Sequence, residues 1–141
     1  MTAAWAVAAA CVFVWLGMVL AISFLEAPLK FRAPGITVPL GLGIGRLVFR
    51  ALNTAEVLLG LAVLVALSIK PPPAPVVVAI LTAVAALMIQ VLAVRRWLNR
   101  RSDEVLAGAE GPRSRGHYVY IALEVVKVIA LLTTGALLLG A

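Results

Sequence analysis

The chain is 141 residues long, 64% hydrophobic and 13% charged, with a net charge of +6 and a mean hydropathy of +1.13. So little polar sequence cannot clothe a soluble core of this size, and so short a chain has no room for a soluble catalytic domain beside its apolar runs. The excess of positive charge could suggest nucleic acid, but its placement, described below, points to lipid headgroups instead.

Four apolar runs are predicted to be helices that cross a bilayer: residues 3–25, 43–69, 75–94 and 118–139. Hydrocarbon about 30 Å thick needs about 20 helical residues at 1.5 Å rise each. The expected fold is an all-α bundle of four transmembrane helices forming one domain over residues 1–141.

The first run has no cationic stretch before it, so a retained helix is expected rather than a cleaved leader. Ala8-Ala9-Ala10-Cys11 lacks the surroundings of a lipoprotein cleavage site, and Cys11, alone, reads as a small apolar filler. The run closes at Glu26-Ala27-Pro28, and Pro28, Pro34 and Pro39 break helix through the first loop. That loop alternates apolar residues (Leu29, Phe31, Ile36, Val38, Leu40) with charges and prolines, and is expected to lie in the interface or fold back on the bundle.

Gly41-Leu42-Gly43-Ile44-Gly45 opens the second run. Without a preceding strand it is not a nucleotide-binding loop, and Gly41 and Gly45 read as a small-xxx-small step for close helix approach. Lys70-Pro71-Pro72-Pro73-Ala74-Pro75 is a short stiff link, which predicts that the second and third spans are antiparallel neighbours. Residues 95–116 read as a loop or short surface helix. The two halves of the chain share no motif, so an inverted-repeat transporter is not indicated.

Lys30, Arg32, Arg46 and Arg50 flank the first loop, and Arg95, Arg96, Arg100, Arg101, Arg113 and Arg115 fill the third. Only Lys70 and Lys127 lie elsewhere. By the positive-inside pattern both basic loops are cytoplasmic and both termini extracytoplasmic, in a multi-pass protein of the inner (plasma) membrane. The expected partners are membrane lipids, with anionic headgroups at the basic loops and no nucleic acid. A homo-oligomer is also expected, since four helices make a poor pore alone.

Ionisable groups in hydrocarbon are costly unless paired or wetted, so they mark the candidate site. Arg46, Arg50, Asn53 and Glu56 follow spacings of four, three and three, and share one face of the second span. His117, Tyr120, Glu124 and Lys127 repeat the device in the fourth span, with Thr134 extending the stripe. Both stripes descend from the cytoplasmic boundary, Lys127 lying about 15 Å below His117. Gln90 of the third span reaches the same level, and Glu26 closes the first span on that side. Glu124 and Lys127 can pair on their own helix, and Glu56 with Arg50 or across the bundle with Lys127.

Catalytic signatures are thin: Glu56 and Glu124 could serve as a buried acid/base pair but no nucleophile is evident beside them, and Ser23, Ser68 and Thr82 read as ordinary helix hydroxyls. A single His cannot supply two axial haem ligands, and no Cys or His cluster has metal spacing, so no cofactor or metal is expected.

Trp15-Leu16-Gly17, then Phe24, Pro28, Phe31 and Ala33, then Gly45-Arg46-x-x-Phe49, together with Val94-Arg95-Arg96-Trp97-Leu98 and a His opening the last span, carry a resemblance over the whole chain. The pattern resembles a family of small bacterial membrane proteins of unknown function related to a eukaryotic transmembrane protein associated with cisplatin resistance. The resemblance implies four transmembrane helices and brings no reaction, cofactor or binding residue. This chain departs from it in carrying Glu56, Glu124 and Lys127 in mid-membrane.

The expected function is to bind or move a small solute, ion or proton through a polar cavity in the cytoplasmic half. The alternative is a structural or accessory subunit of a membrane complex, whose intramembrane charges are only helix-packing ion pairs. A lipid-modifying enzyme, with Glu56 or Glu124 as base and Arg46 and Arg50 on a phosphate headgroup, comes third.

Overall fold

A computed structural model describes residues 1–107 and 115–141, and among them it contains only helices and their connections. Helix α1 (Ala3–Val19) continues through a π-helical segment, Leu20–Glu26, into the short α2 (Ala27–Leu29) and a 3-10 turn, Lys30–Arg32. Next come α3 (Val38–Ile69), α4 (Ala74–Ile89), a second π segment (Gln90–Val94) running into α5 (Arg95–Leu106), and α6 (Arg115–Leu139). Four continuous helical stretches, Ala3–Arg32, Val38–Ile69, Ala74–Arg101 and His117–Leu139, are long and apolar enough to cross a membrane.

These stretches are longer than the apolar runs because the punctuation is absorbed. Pro28 lacks an N–H and crowds the preceding turn. It follows the widened turns of Leu20–Glu26, and the helical path continues past it to Arg32. The break comes at Pro34-Gly35 instead. Gly35 adopts a φ of 83° and the Ile36 N–H donates to Ala33 O at 3.2 Å, a turn whose third residue favours glycine. Helix α3 then starts with Thr37 accepting from Leu40 N at 3.2 Å and Pro39 in the first turn, where its missing N–H costs nothing.

The helices do not pack in chain order. Helix α1 lies against both α3 and α6, and α4 lies chiefly against α6. The stiff proline link therefore does not make the second and third spans close neighbours: α3 and α4 touch only slightly. The apolar core is built from Val12, Trp15 and Val19 of α1, Val63 of α3, Ile80 and Leu87 of α4, and Leu131 and Leu138 of α6. At the proline-link end, Trp5 Nε1 donates to Lys70 O at 2.8 Å and fixes the start of α1 to the end of α3.

Gly41 and Gly45 play a different part from the expected helix contact. A Cβ on Gly41 would collide with the Phe31 ring, and one on Gly45 would meet Lys30 Nζ at 2.9 Å. They make room for the side chains of Phe31 and Lys30, which reach the start of α3, while Leu29, Val38 and Leu40 stay exposed.

The outward faces of all four long helices are aliphatic: Val14, Leu58, Val65, Val78, Leu81, Ile129 and Leu132 are exposed. Glu56, Gln90, Glu124, Lys127 and Thr134 are buried. Apolar groups outside and charges inside is the reverse of a water-soluble surface, and it suits a multi-pass membrane protein. Arg113 of the basic third loop, and the side chain of Arg115, lie outside the described residues.

Candidate functional site

The inner parts of the two polar stripes, Glu56 on α3 and Glu124 with Lys127 on α6, meet inside the bundle. Lys127 Nζ lies 2.5 Å from Glu56 Oε1 and 2.5 Å from Glu124 Oε1, and also donates to Gln90 Oε1 at 2.8 Å. The Gln90 Nε2 group donates to Glu124 Oε1 at 2.8 Å and to the Tyr120 carbonyl at 3.3 Å. From α1, Trp15 Nε1 donates to Glu56 Oε1 at 2.9 Å. The Ser23 hydroxyl, in the π segment that follows, donates to Glu124 Oε2. Glu56, Gln90 and Lys127 are 0% exposed and Glu124 1%. All four long helical stretches thus contribute to one dry network.

This arrangement answers the cost of burying charge. Each carboxylate meets the ammonium, and the lysine has three acceptors for its three N–H groups. Glu124 accepts at both oxygens, whereas Glu56 Oε2 has no hydrogen-bond partner. Gln90 is suited to the centre because its amide both accepts from the lysine and donates to the carboxylate.

Ser23 and Gln90 both lie in π-helical segments. A π turn holds more residues than an α turn and shifts the register of the side chains that follow it. Gln90 opens its segment and continues the inward stripe of Ile80, Ala83 and Leu87, and Ser23 lies within its own segment. Ser23, bonded to Glu124, is no ordinary helix hydroxyl. Ser68 and Thr82 are, bonding their own helices at Val65 O (2.6 Å) and Val78 O (2.8 Å).

The stripe on α3 divides. Asn53 and Glu56 are buried, while Arg46 is half-buried and Arg50 exposed. Arg46 Nη1 pairs with Asp103 Oδ1 of α5 at 2.6 Å, so neither arginine is Glu56's partner. On α6, His117 stands edge-on to Tyr118, ring centroids 5.8 Å apart, outside the network contacts described above. Tyr120 is buried, with its ring edge-on to Phe49 at 5.7 Å. Glu26 also stays outside the network, 3.9 Å from Lys30.

Where α3 and the third helix splay, an open cleft of about 680 Å³ forms, lined by Arg46, Arg50, Asn53 and Val57 of α3 and by Val91, Arg95 and Asn99. The guanidinium of Arg95 sits 4.7 Å from the Tyr120 ring centroid and 5.1 Å from that of Phe49. Its Nε and Nη2 are buried without hydrogen-bond partners, as is Asn53 Oδ1.

Sequence reasoning missed Trp15, Ser23 and Arg95 as members of these sites. A tryptophan inside an apolar helix carries an N–H that seeks an acceptor, and that signal was available. Arg95 was visible only as one of a basic run. Among the described residues no group of three or more His, Cys, Asp or Glu could hold a metal ion.

Fold and site together define a class: an all-helical chain with four stretches long enough to span a bilayer, closed around a buried charge network and flanked by a basic cleft. Comparison with protein-family models, with curated proteins and with solved structures finds no match that narrows this class.

Proposed function

We propose that the chain is a multi-pass membrane protein with both termini outside and its basic ends in the cytoplasm. In this reading the cytoplasmic half binds a small solute in the cleft between α3 and the third helix, and the buried charges form the frame that holds the cleft in shape. The expected polar cavity is thereby divided into a dry centre and an open site. The observation that carries the reading is the cleft's lining: three arginines with no carboxylate among the lining residues, and the unpartnered Oδ1 of buried Asn53.

Asn53→Cys in a Cys11→Ser background tests it. A membrane-impermeant maleimide should label position 53 in inside-out vesicles and leave it unlabelled in right-side-out ones. Labelling from neither side would remove the solute-binding reading.

The dryness of the Glu56–Lys127–Glu124 network favours a second reading, an accessory subunit whose charges only pack helices. It predicts a tightly co-purifying protein and no labelling at position 53.

A further inference from the structure

The cleft's chemistry narrows what it can take. Three guanidinium groups, those of Arg46, Arg50 and Arg95, line a single opening, and none of the described lining residues is a carboxylate. Among the described residues Arg46 alone of the three has an acidic ion-pair partner, Asp103, which is itself exposed. Arg50 makes no side-chain hydrogen bond or ion pair with any described residue. Arg95 is stacked against the Phe49 and Tyr120 rings and has Nε and Nη2 desolvated without an acceptor. Both atoms are closed off inside the protein, so Arg95 lends the cleft wall positive charge that no described residue neutralises by a hydrogen bond. A cation stripped of water without a counter-ion is costly, and ring faces offset only part of that cost.

From this lining we infer that the cleft binds an anionic phosphate monoester. This rests on the solute-binding reading of the same cleft. A carboxylate has one planar edge and one charge, enough for one fork. A tetrahedral phosphate presents oxygens in several directions and accepts from arginines on both walls at once. Arg46 and Asn53 stand seven residues apart on α3, about 10 Å of helix rise, which gives the depth for such a group. The aliphatic floor at Val57 and Val91 continues inward from the arginines. That gradient from basic to aliphatic fits an amphiphile, with phosphate at the basic end and its chains along the apolar wall. Two sources supply this chemistry: the headgroup of an anionic phospholipid, and a soluble phosphate ester.

Native mass spectrometry of the purified full chain tests the inference, using phosphatidic acid, phosphatidylcholine with the same acyl chains, and glycerol 3-phosphate as probes. Phosphatidic acid should be retained over phosphatidylcholine. Arg50→Ala should weaken its retention by about tenfold or more, the loss expected for one charge-assisted hydrogen bond. Arg95→Gln should do the same, and Arg100→Ala, an exposed arginine of α5 away from the cleft, should not. Displacement of the lipid by glycerol 3-phosphate assigns the soluble source, and failure to displace it assigns the headgroup. Because Arg50 is exposed, its variant keeps the fold even where Arg95→Gln does not. Equal retention by wild type, Arg50→Ala and Arg100→Ala would overturn the inference, as would no preference for phosphatidic acid together with no binding of glycerol 3-phosphate. If position 53 still labels from the cytoplasmic side in that event, the cleft takes a solute of another class. If it does not, the solute-binding reading fails as well.

Discussion

Lys127 of α6 and Glu56 of α3 meet at 2.5 Å, and neither exposes any surface. Two residues separated by about half of the chain thus form a contact that orients the inner faces of two helices. Such a pair is weak proof of added stability, since both charges lose their water on burial. Breaking it is another matter, because a single partner left behind has neither water nor counter-charge. The network therefore acts as a specification of which helix faces meet, in a medium where apolar side chains are equally content against lipid.

Gln90 is the hub that the network can least replace. Gln90→Leu removes the acceptor for Lys127 and the donor to Glu124, both at 2.8 Å, while keeping the volume nearly constant. We expect a loss of about 1–3 kcal/mol, the cost of leaving buried polar groups unsatisfied. Reversible unfolding in mixed detergent micelles measures it, and an unchanged unfolding curve would speak against the hub role.

Gly60 separates a tolerated change from a damaging one. A Cβ there would meet Trp15 Cη2 at 3.5 Å and Cζ3 at 3.6 Å, ordinary contacts. Gly60→Ala should be neutral or stabilising, since Ala is favoured over Gly in a helix by about 1 kcal/mol. Gly60→Leu should push the indole off Glu56, breaking the 2.9 Å bond and lowering the melting temperature. Equal melting temperatures for the two variants would show that Trp15 does not depend on this gap.

The pair between Arg46 and Asp103 provides the contrast with the buried one. Its side chains are 37% and 63% exposed, so solvent screens the attraction despite the 2.6 Å separation. Asp103→Asn should change stability by less than about 1 kcal/mol, and any effect should shrink as salt is raised. A large, salt-insensitive loss would mean that this pair holds α5 against α3 far more firmly than an exposed ion pair can.

The sequence allowed much of this to be read in advance, for definite reasons. Run length against bilayer thickness gives four spanning stretches, and helical spacing puts Glu56 and Lys127 on the inner faces of α3 and α6. Arg46, Arg50 and Asn53 do share one side of α3, where they line the cleft, but Glu56 pairs with Lys127 and not with Arg50. A sector of about 120° around a helix is wide enough to straddle inside and outside, and these two arginines turn away from the core. The short proline link does not make α3 and α4 neighbours, because such a link fixes direction but not which partner a helix packs against. Gln90 was legible because it continues the regular inward stripe Ile80, Ala83, Leu87, whereas nothing in the spacing of the first run singles out Ser23, whose hydroxyl finds Glu124 only once α1 and α6 are packed together.

The most direct measure of the central claim is a double-mutant cycle on Glu56 and Lys127, read by reversible unfolding in mixed micelles. Lys127→Met alone should cost about 3–5 kcal/mol, because it leaves two buried carboxylates without their cation. Glu56→Gln alone should cost less, since the amide oxygen can still accept from Trp15 and Lys127. The double variant should be more stable than the sum of the two losses implies, with a coupling of at least about 1 kcal/mol. Losses that simply add, within about 0.5 kcal/mol, would contradict the account, for they would mean that the two charges do not answer one another across the bundle.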